Sequence, residues 1–247
     1  MAELRSTNES ETLGGKDRSR LVYDGVRRAI IEQALAPGDK LPEDAIGESF
    51  NVSRTLVRGA LTRLAAEGLV EQRRNKGAVV ASPTLAEARD LFDVRQQLED
   101  LVVQRLAGHL TSRQQQQLLA HVAAEQAAGG GVGAESIRMA GEFHVLLADM
   151  TGNALLSRYV GEIVSRSSLI LALYGRPHSS ECAVSEHRQL VEALACGDAS
   201  KAAELMKHHL GAVQERALIK YEANGEKAFR TVLAQYAGVI RSEGRGP

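Results

Sequence analysis

Apolar residues recur at three- and four-residue spacing through most of the chain, and the exceptions fall in one short stretch. In residues 18–35, Leu21, Val22, Val26, Ile30 and Leu35 share a side, which predicts an amphipathic helix closed by Pro37 and Gly38. A short second helix follows with Pro42 in its first turn. Asn51 marks a turn, and Ser53 is placed to cap a third helix that ends at Gly68. The period then changes. Leu69 to Gln72 and Ala78 to Ala81 read as two short strands joined by a polar tip over 74–77. Ser82, Pro83 and Thr84 interrupt the pattern, after which helical spacing resumes in six segments. They are separated by the glycine-rich 129–133 and by turns at 151–153 and 197–198, which predicts an all-α bundle of six or seven helices. The expected organisation is a polar, disordered leader over 1–17, a small domain over 18–82, a helical domain over 83–223 and an extension over 224–247. One more helix is predicted in that extension, at FRTVLAQYAGVI.

Three helices followed by a two-stranded ribbon is the pattern of a winged helix-turn-helix. At about 100° per residue the third helix separates into two faces. Val57, Ala60, Leu61 and Leu64 share one, while Arg54, Thr55, Arg58, Gly59, Thr62 and Arg63 form an opposite arc of donors. In helix-turn-helix docking the second helix of the motif enters the major groove N-terminus first, so Arg54, Thr55 and Arg58 lie nearest bases and phosphates. Charge supports this locally. Net charge over the whole chain is −1, yet residues 51–80 hold six basic side chains against two acidic ones. A positive patch on a nearly neutral protein marks a localised binding face.

Composition narrows the remaining classes. With 247 residues and 44% hydrophobic content, the chain can bury two cores. No apolar run approaches the roughly 18 residues of a membrane span, and the first residues lack the apolar core of a secretory signal. Cys182 and Cys196 lack metal-pair spacing, and two free thiols suit a reducing compartment. A cytoplasmic protein is expected.

Three histidines in the second domain draw notice: His144, His187 and His209. His187 lies 11 residues before Asp198 and His209 11 after it, so a helical hairpin turning there sets them at one level, where they could share a ligand. Which faces meet does not follow from spacing. His109, His121, His178 and His208 are read as ordinary surface or core residues.

The stretch PGDKLPEDAIGESFNVSRTLVRGALTRLAAEGLVEQRRNKGAVV resembles the DNA-binding domain of GntR-superfamily transcriptional regulators over about 45 residues. That resemblance implies that Arg54 and Arg58 are the principal DNA contacts, that Ser53 and Thr55 assist, and that Lys76 and Gly77 form the tip of the wing. Leu56 stands where proline is common, and Gly59 replaces a usual glutamate, at about 1 kcal/mol of helix propensity relative to alanine. The second domain is similar to the FCD effector domain of the FadR subfamily, through VRQQLE (94–99), FHVLLADMTGN (143–153), EHRQLVEALACGD (186–198) and AAELMKHHL (202–210). In metal-binding members three histidines and an acid or asparagine hold a divalent ion, often zinc. The histidines correspond to His144, His187 and His209, but the acid position four residues earlier is Ala140. Glu142 cannot substitute from the same helix, being rotated about 200° from His144. Arg95 corresponds to an arginine that in many members meets an effector carboxylate. An ion pair with Glu99, at i and i+4, is an equally good reading of it.

The expectation is therefore a homodimeric DNA-binding regulator, a repressor by the family's habit, controlled by a small carboxylic acid in the helical domain. Two alternatives stand beside it. A metal-dependent hydrolase would use the three histidines, although no acidic residue is evidently placed as its base. An effector-blind architectural protein would bind DNA alone. A serine hydrolase has little support, since no G-x-S-x-G elbow occurs.

Overall fold

A computed structural model describes residues 15–74, 77–128, 134–174 and 181–223. Among them the order is α1 (Gly15–Ile31), α2 (Glu43–Phe50), α3 (Arg54–Ala66), β1 (Val70–Arg73), β2 (Gly77–Val80), then α4 (Leu85–Leu106), α5 (Ser112–Ala127), α6 (Ala134–Met150), α7 (Ala154–Tyr174), α8 (Glu181–Ala195) and α9 (Ala199–Ala223). The mainly α architecture, a winged helix-turn-helix ahead of a helical bundle, is the expected one. The segment FRTVLAQYAGVI lies outside the described residues.

In the first domain the apolar faces of α1 and α3 close on each other: Val22, Val26 and Ile30 join Val57, Leu61 and Leu64 in one core with Leu69, Val70 and Val80 of the ribbon. The strands pair antiparallel with Val70 opposite Val80 and Arg73 opposite Gly77. Two boundaries differ from the sequence reading. Helix α1 starts at Gly15, inside the expected leader, and it stops at Ile31 rather than near Leu35. Gln33 adopts a positive φ of 59°, which ends the helix before proline is reached. Ser53 occupies the N-cap of α3 with extended backbone, but its hydroxyl makes no capping bond. Capping boxes instead start α4 at Thr84 with Glu87, and α5 at Thr111 with Gln114.

The helical domain is built around Val102, Val103, Phe143, Leu147, Val191, Leu194 and Met206, all buried. One close approach sets its geometry. Gly197, at φ 75°, turns α8 into α9, and a Cβ on it would stand 3.4 Å from the Cα of Gly108, itself at φ 72°. The left-handed backbone is what favours glycine at both positions, since a contact of that length is ordinary packing. The two domains also touch. Arg27 of α1 binds Ser165 of α7, Arg138 of α6 binds Glu32 at 3.0 Å, and Leu169 of α7 packs into the first domain's core.

Candidate functional site

The two faces of α3 are presented as the wheel predicts. Val57, Ala60, Leu61 and Leu64 are buried, while Ser53, Arg54, Thr55, Arg58 and Gly59 are exposed. Sequence reasoning missed what holds the arginines. The first turn of α2 carries Glu43 and Asp44. Arg58 donates Nη2 to Glu43 at 2.8 Å and Nε at 3.1 Å, and Arg54 pairs with Asp44. The Arg58 bonds hold the Glu43 carboxyl below its ordinary range. These surface pairs orient the guanidinium groups but add little stability, since exposed charges are well screened. Gly77 opens β2 with a φ of 71° and is exposed. Lys76 lies outside the described residues.

The second site is in the bundle. His144 comes from α6, His187 from α8 and His209 from α9, and all three are buried. Their Nε2 atoms converge: His209 stands 3.3 Å from His187 and 3.3 Å from His144, and the three ligand atoms lie within 4.8 Å of one another. The equal offsets from the turn do bring His187 and His209 together. Behind each ring stands a carboxylate. Nδ1 of His144 meets Glu99 of α4, Nδ1 of His187 meets Glu125 of α5 at 2.9 Å, and Nδ1 of His209 meets Glu186 of α8 at 2.6 Å. Phe143 stacks on His187 with centroids 4.0 Å apart.

The electrostatics make this more than a polar core. Burial lowers the affinity of His144 for its proton, with Glu99 pulling the other way. Burial likewise takes His209 down to about 3, against the bond to Glu186. Burial alone would raise Glu99, yet the charges and bonds of His144 and Arg95 hold its carboxyl at about 2. A neutral imidazole that donates from Nδ1 to a carboxylate keeps a bare lone pair at Nε2. With each Nδ1 turned to a carboxylate, the three Nε2 atoms are the ones left to converge on a shared ligand. A cation is what such a cluster fits. With Zn–N near 2.0–2.1 Å, two ligands of a tetrahedral ion stand about 3.3–3.4 Å apart, which matches both short separations.

A cavity of about 280 Å³ opens beside the cluster, lined by His144, His209 and Arg95. Ala140, one turn before His144 on the same helix, also lines it. Arg95 is buried and gives Nε to Glu99 at 2.6 Å. The i,i+4 ion pair is thus real, and Arg95 faces the cavity as well. Glu142 is spent on Arg138 at 2.7 Å. Sequence reasoning missed the three carboxylates, although Glu186 adjoins His187 and Glu99 ends the quoted VRQQLE. It also missed that α1 supplies Arg27, Arg28 and Ile31 to the cavity wall. Of the histidines read as ordinary, His121 binds the Met139 carbonyl at 2.8 Å, and His109 and His208 are exposed. His178 lies outside the described residues.

Comparison with known proteins agrees with the fold. Residues 18–80 match the model of the gntR family of bacterial regulatory proteins, and residues 90–212 match the FCD domain. The Uxu operon transcriptional regulator of Escherichia coli K12 is 30% identical over 225 residues, covering 78% of this chain and 84% of that protein. LutR of Bacillus subtilis, a helix-turn-helix transcriptional regulator, is 29% identical over 73% of this chain and 92% of its own length. The repressor RspR of E. coli K12 is 37% identical over 97 residues, a match that spans 39% of this chain and 42% of RspR. Among solved structures, a GntR regulator from Rhodococcus sp. RHA1 superposes with a TM-score of 0.70 at 22% identity, covering 82% of this chain and 98% of its own. E. coli McbR/YncC gives 0.70 at 17% identity over 83% and 99%. At those identities the likeness is one of fold.

Proposed function

The chain belongs to the gntR family of bacterial regulatory proteins and carries an FCD domain, and from this we propose that it is a transcriptional repressor released from its operator by a small carboxylic acid. The observation that carries the effector half is the cavity itself, a built pocket whose wall includes two of the three convergent histidines, a buried arginine and part of the DNA-binding domain. An effector-blind architectural protein would have no use for it. The hydrolase reading finds no support among the relatives, which are regulators.

Arg54 and Arg58 read base edges in the major groove, Ser53 and Thr55 bind phosphate beside them, and Lys76 and Gly77 reach the neighbouring backbone. His144, His187 and His209 hold a divalent ion, zinc by the nitrogen donor set. Bound there, the ion offers a Lewis-acidic position to a carboxylate oxygen. Glu99, Glu125 and Glu186 fix the tautomers and aim the three rings. Arg95, with Nε committed to Glu99, has its other donors for the acid. The protein acts as a homodimer in the cytoplasm. Reading a two-fold operator needs two motifs about one DNA turn apart, and the helical domain is large enough to join them. Val94 and Leu101, seven residues apart on α4, and Leu155 and Tyr159, four apart on α7, leave apolar positions exposed at one-face spacing. No helix among the described residues is long and apolar enough to cross a membrane.

The test is a gel shift with the DNA flanking the gene, repeated with a panel of small carboxylates. Retarded DNA that one acid releases is the expected result. DNA held equally with every acid would leave the effector half without support, and sedimentation as a monomer at micromolar concentration would remove the dimer.

A further inference from the structure

The cavity has walls in both domains, and its guanidinium groups differ in what neutralises them. Among the described residues, Arg28 pairs with Glu32, Arg138 with Glu32, Glu135 and Glu142, and Arg95 with Glu99. Arg27 meets no carboxylate of the described residues within ion-pair distance. It gives Nη2 to the hydroxyl oxygen of Ser165. That hydroxyl donates its own proton to the Gly161 carbonyl at 2.6 Å, and its neighbours Ser167 and Ser168 also donate into their helix. Ser165 therefore accepts the Arg27 hydrogen bond but carries no countercharge, and the two acids of the cavity wall, Glu125 and Glu142, are held by His187 and Arg138. A half-buried guanidinium in that setting is under-compensated and favours an anion.

Arg27 enters the cavity from α1, whereas His144 and His209 enter it from α6 and α9. The α1 wall meets α6 at Arg138, through Glu32, and His144 lies six residues further along α6. Arg27 and His144 thus reach the same cavity from two helices, and a short chain with a carboxylate at each end can meet both.

We propose that Arg27 is an effector contact carried by the DNA-binding domain, receiving the second carboxylate of a small α,ω-dicarboxylate whose first carboxylate lies at the histidine end. The proposal rests on the preceding reading that the cavity holds an acid. It supplies that reading with a wire. Helix α1 packs on α3 through Val22, Val26 and Ile30, so whatever draws Arg27 away from Ser165 shifts the recognition helix against the helical domain. Ligand and DNA then bias the same contact in opposite directions.

The experiment is calorimetric titration of the full chain with succinate, glutarate and adipate and with the matched monoacids butyrate, valerate and hexanoate. In wild type at least one diacid should bind about tenfold or more tighter than its monoacid, the weight of one charge-assisted hydrogen-bonded contact. Arg27→Gln should erase that ratio and Arg27→Lys should keep most of it. Ser165→Ala, which removes the competing acceptor, should tighten the diacid. An unchanged ratio in Arg27→Gln, or monoacids binding as well as diacids, would overturn the assignment and leave Arg27 as an interface residue. Heat from none of the six acids would overturn the acid-binding reading with it.

Discussion

Arg58 grips Glu43 through two nitrogens, so α2 holds in place the arginine proposed above to read DNA. The pair orients Arg58 and also competes for it, because a carboxylate occupies the donors that a guanine edge would use. Arg54→Ala and Arg58→Ala should each weaken operator binding on the order of ten- to a hundredfold. Glu43→Gln should strengthen binding roughly two- to fivefold, since only a screened surface pair is given up. Lys76→Ala should leave sequence preference alone and reduce the salt slope by about one. Gel shifts at matched salt separate these effects. Wild-type affinity in both arginine variants would mean that another face meets DNA.

The carboxylates behind the histidines make a prediction independent of DNA. Glu125 is fully buried and uses one oxygen on His187, while Oε1 has no partner among the described residues. Glu125→Gln keeps the shape and removes the charge that makes the ring a good donor. Zinc affinity should fall about tenfold, and toward a hundredfold in Glu125→Ala, in competition with a chromophoric chelator. Equal affinities in all three proteins would mean that His187 does not ligate.

Burial of neutral histidines also fixes how stability depends on pH. His209 is depressed to about 3 and His144 is depressed as well, whereas in the unfolded chain both titrate near about 6.5. Between those values the unfolded chain holds protons that the folded chain lacks, so acid favours unfolding. The contribution is complete above about 6.5 and is lost as pH falls toward the folded values, by about 1.4 kcal/mol per pH unit for each such histidine. Urea unfolding of chelator-treated protein, compared at about pH 7 and about pH 5, should show that slope, and His209→Gln should reduce it by about one proton. Parallel profiles for wild type and variant would place His209 outside the neutral cluster.

How much of this was legible in the sequence depended on the range of the interaction. The period of apolar residues located the helices and the ribbon, because amphipathicity is a local property of each segment. The turn at Gly197 made His187 and His209 neighbours, because distance along two helices from a shared turn is also local. Glu125 meeting His187, Glu99 meeting His144 and Arg27 entering the cavity each join segments far apart in the chain, and no spacing rule encodes which helix packs beside which. Arg95 shows the limit well. Its ion pair with Glu99 is readable at i and i+4, whereas its second face on the cavity came from the family resemblance and follows from no spacing. The end of α1 failed for a different reason, since Gln33 takes up a left-handed conformation that its residue type does not announce.

The position of Ala140 leads to the last prediction. It lines the cavity one turn from His144, where a carboxylate on α6 would complete four ligands, and a methyl group offers neither charge nor lone pair. Three neutral imidazoles leave a bound ion with an open position and its full positive charge, so a carboxylate from the cavity can fill the place that the chain leaves empty. Metal and acid should then bind cooperatively, each tightening the other by the same factor. Zinc titration with and without an acid that releases the operator measures that factor from one side, and acid titration with and without zinc measures it from the other. Ala140→Asp should raise zinc affinity by about tenfold or more, by adding one ligand and one negative charge, and should abolish the cooperativity, because the chain's own carboxylate now holds the position. The same variant should keep the operator occupied at acid concentrations that release wild type. No gain of zinc affinity in Ala140→Asp would mean that the α6 position does not reach the ion, and cooperativity surviving in it would mean that the acid never used that place.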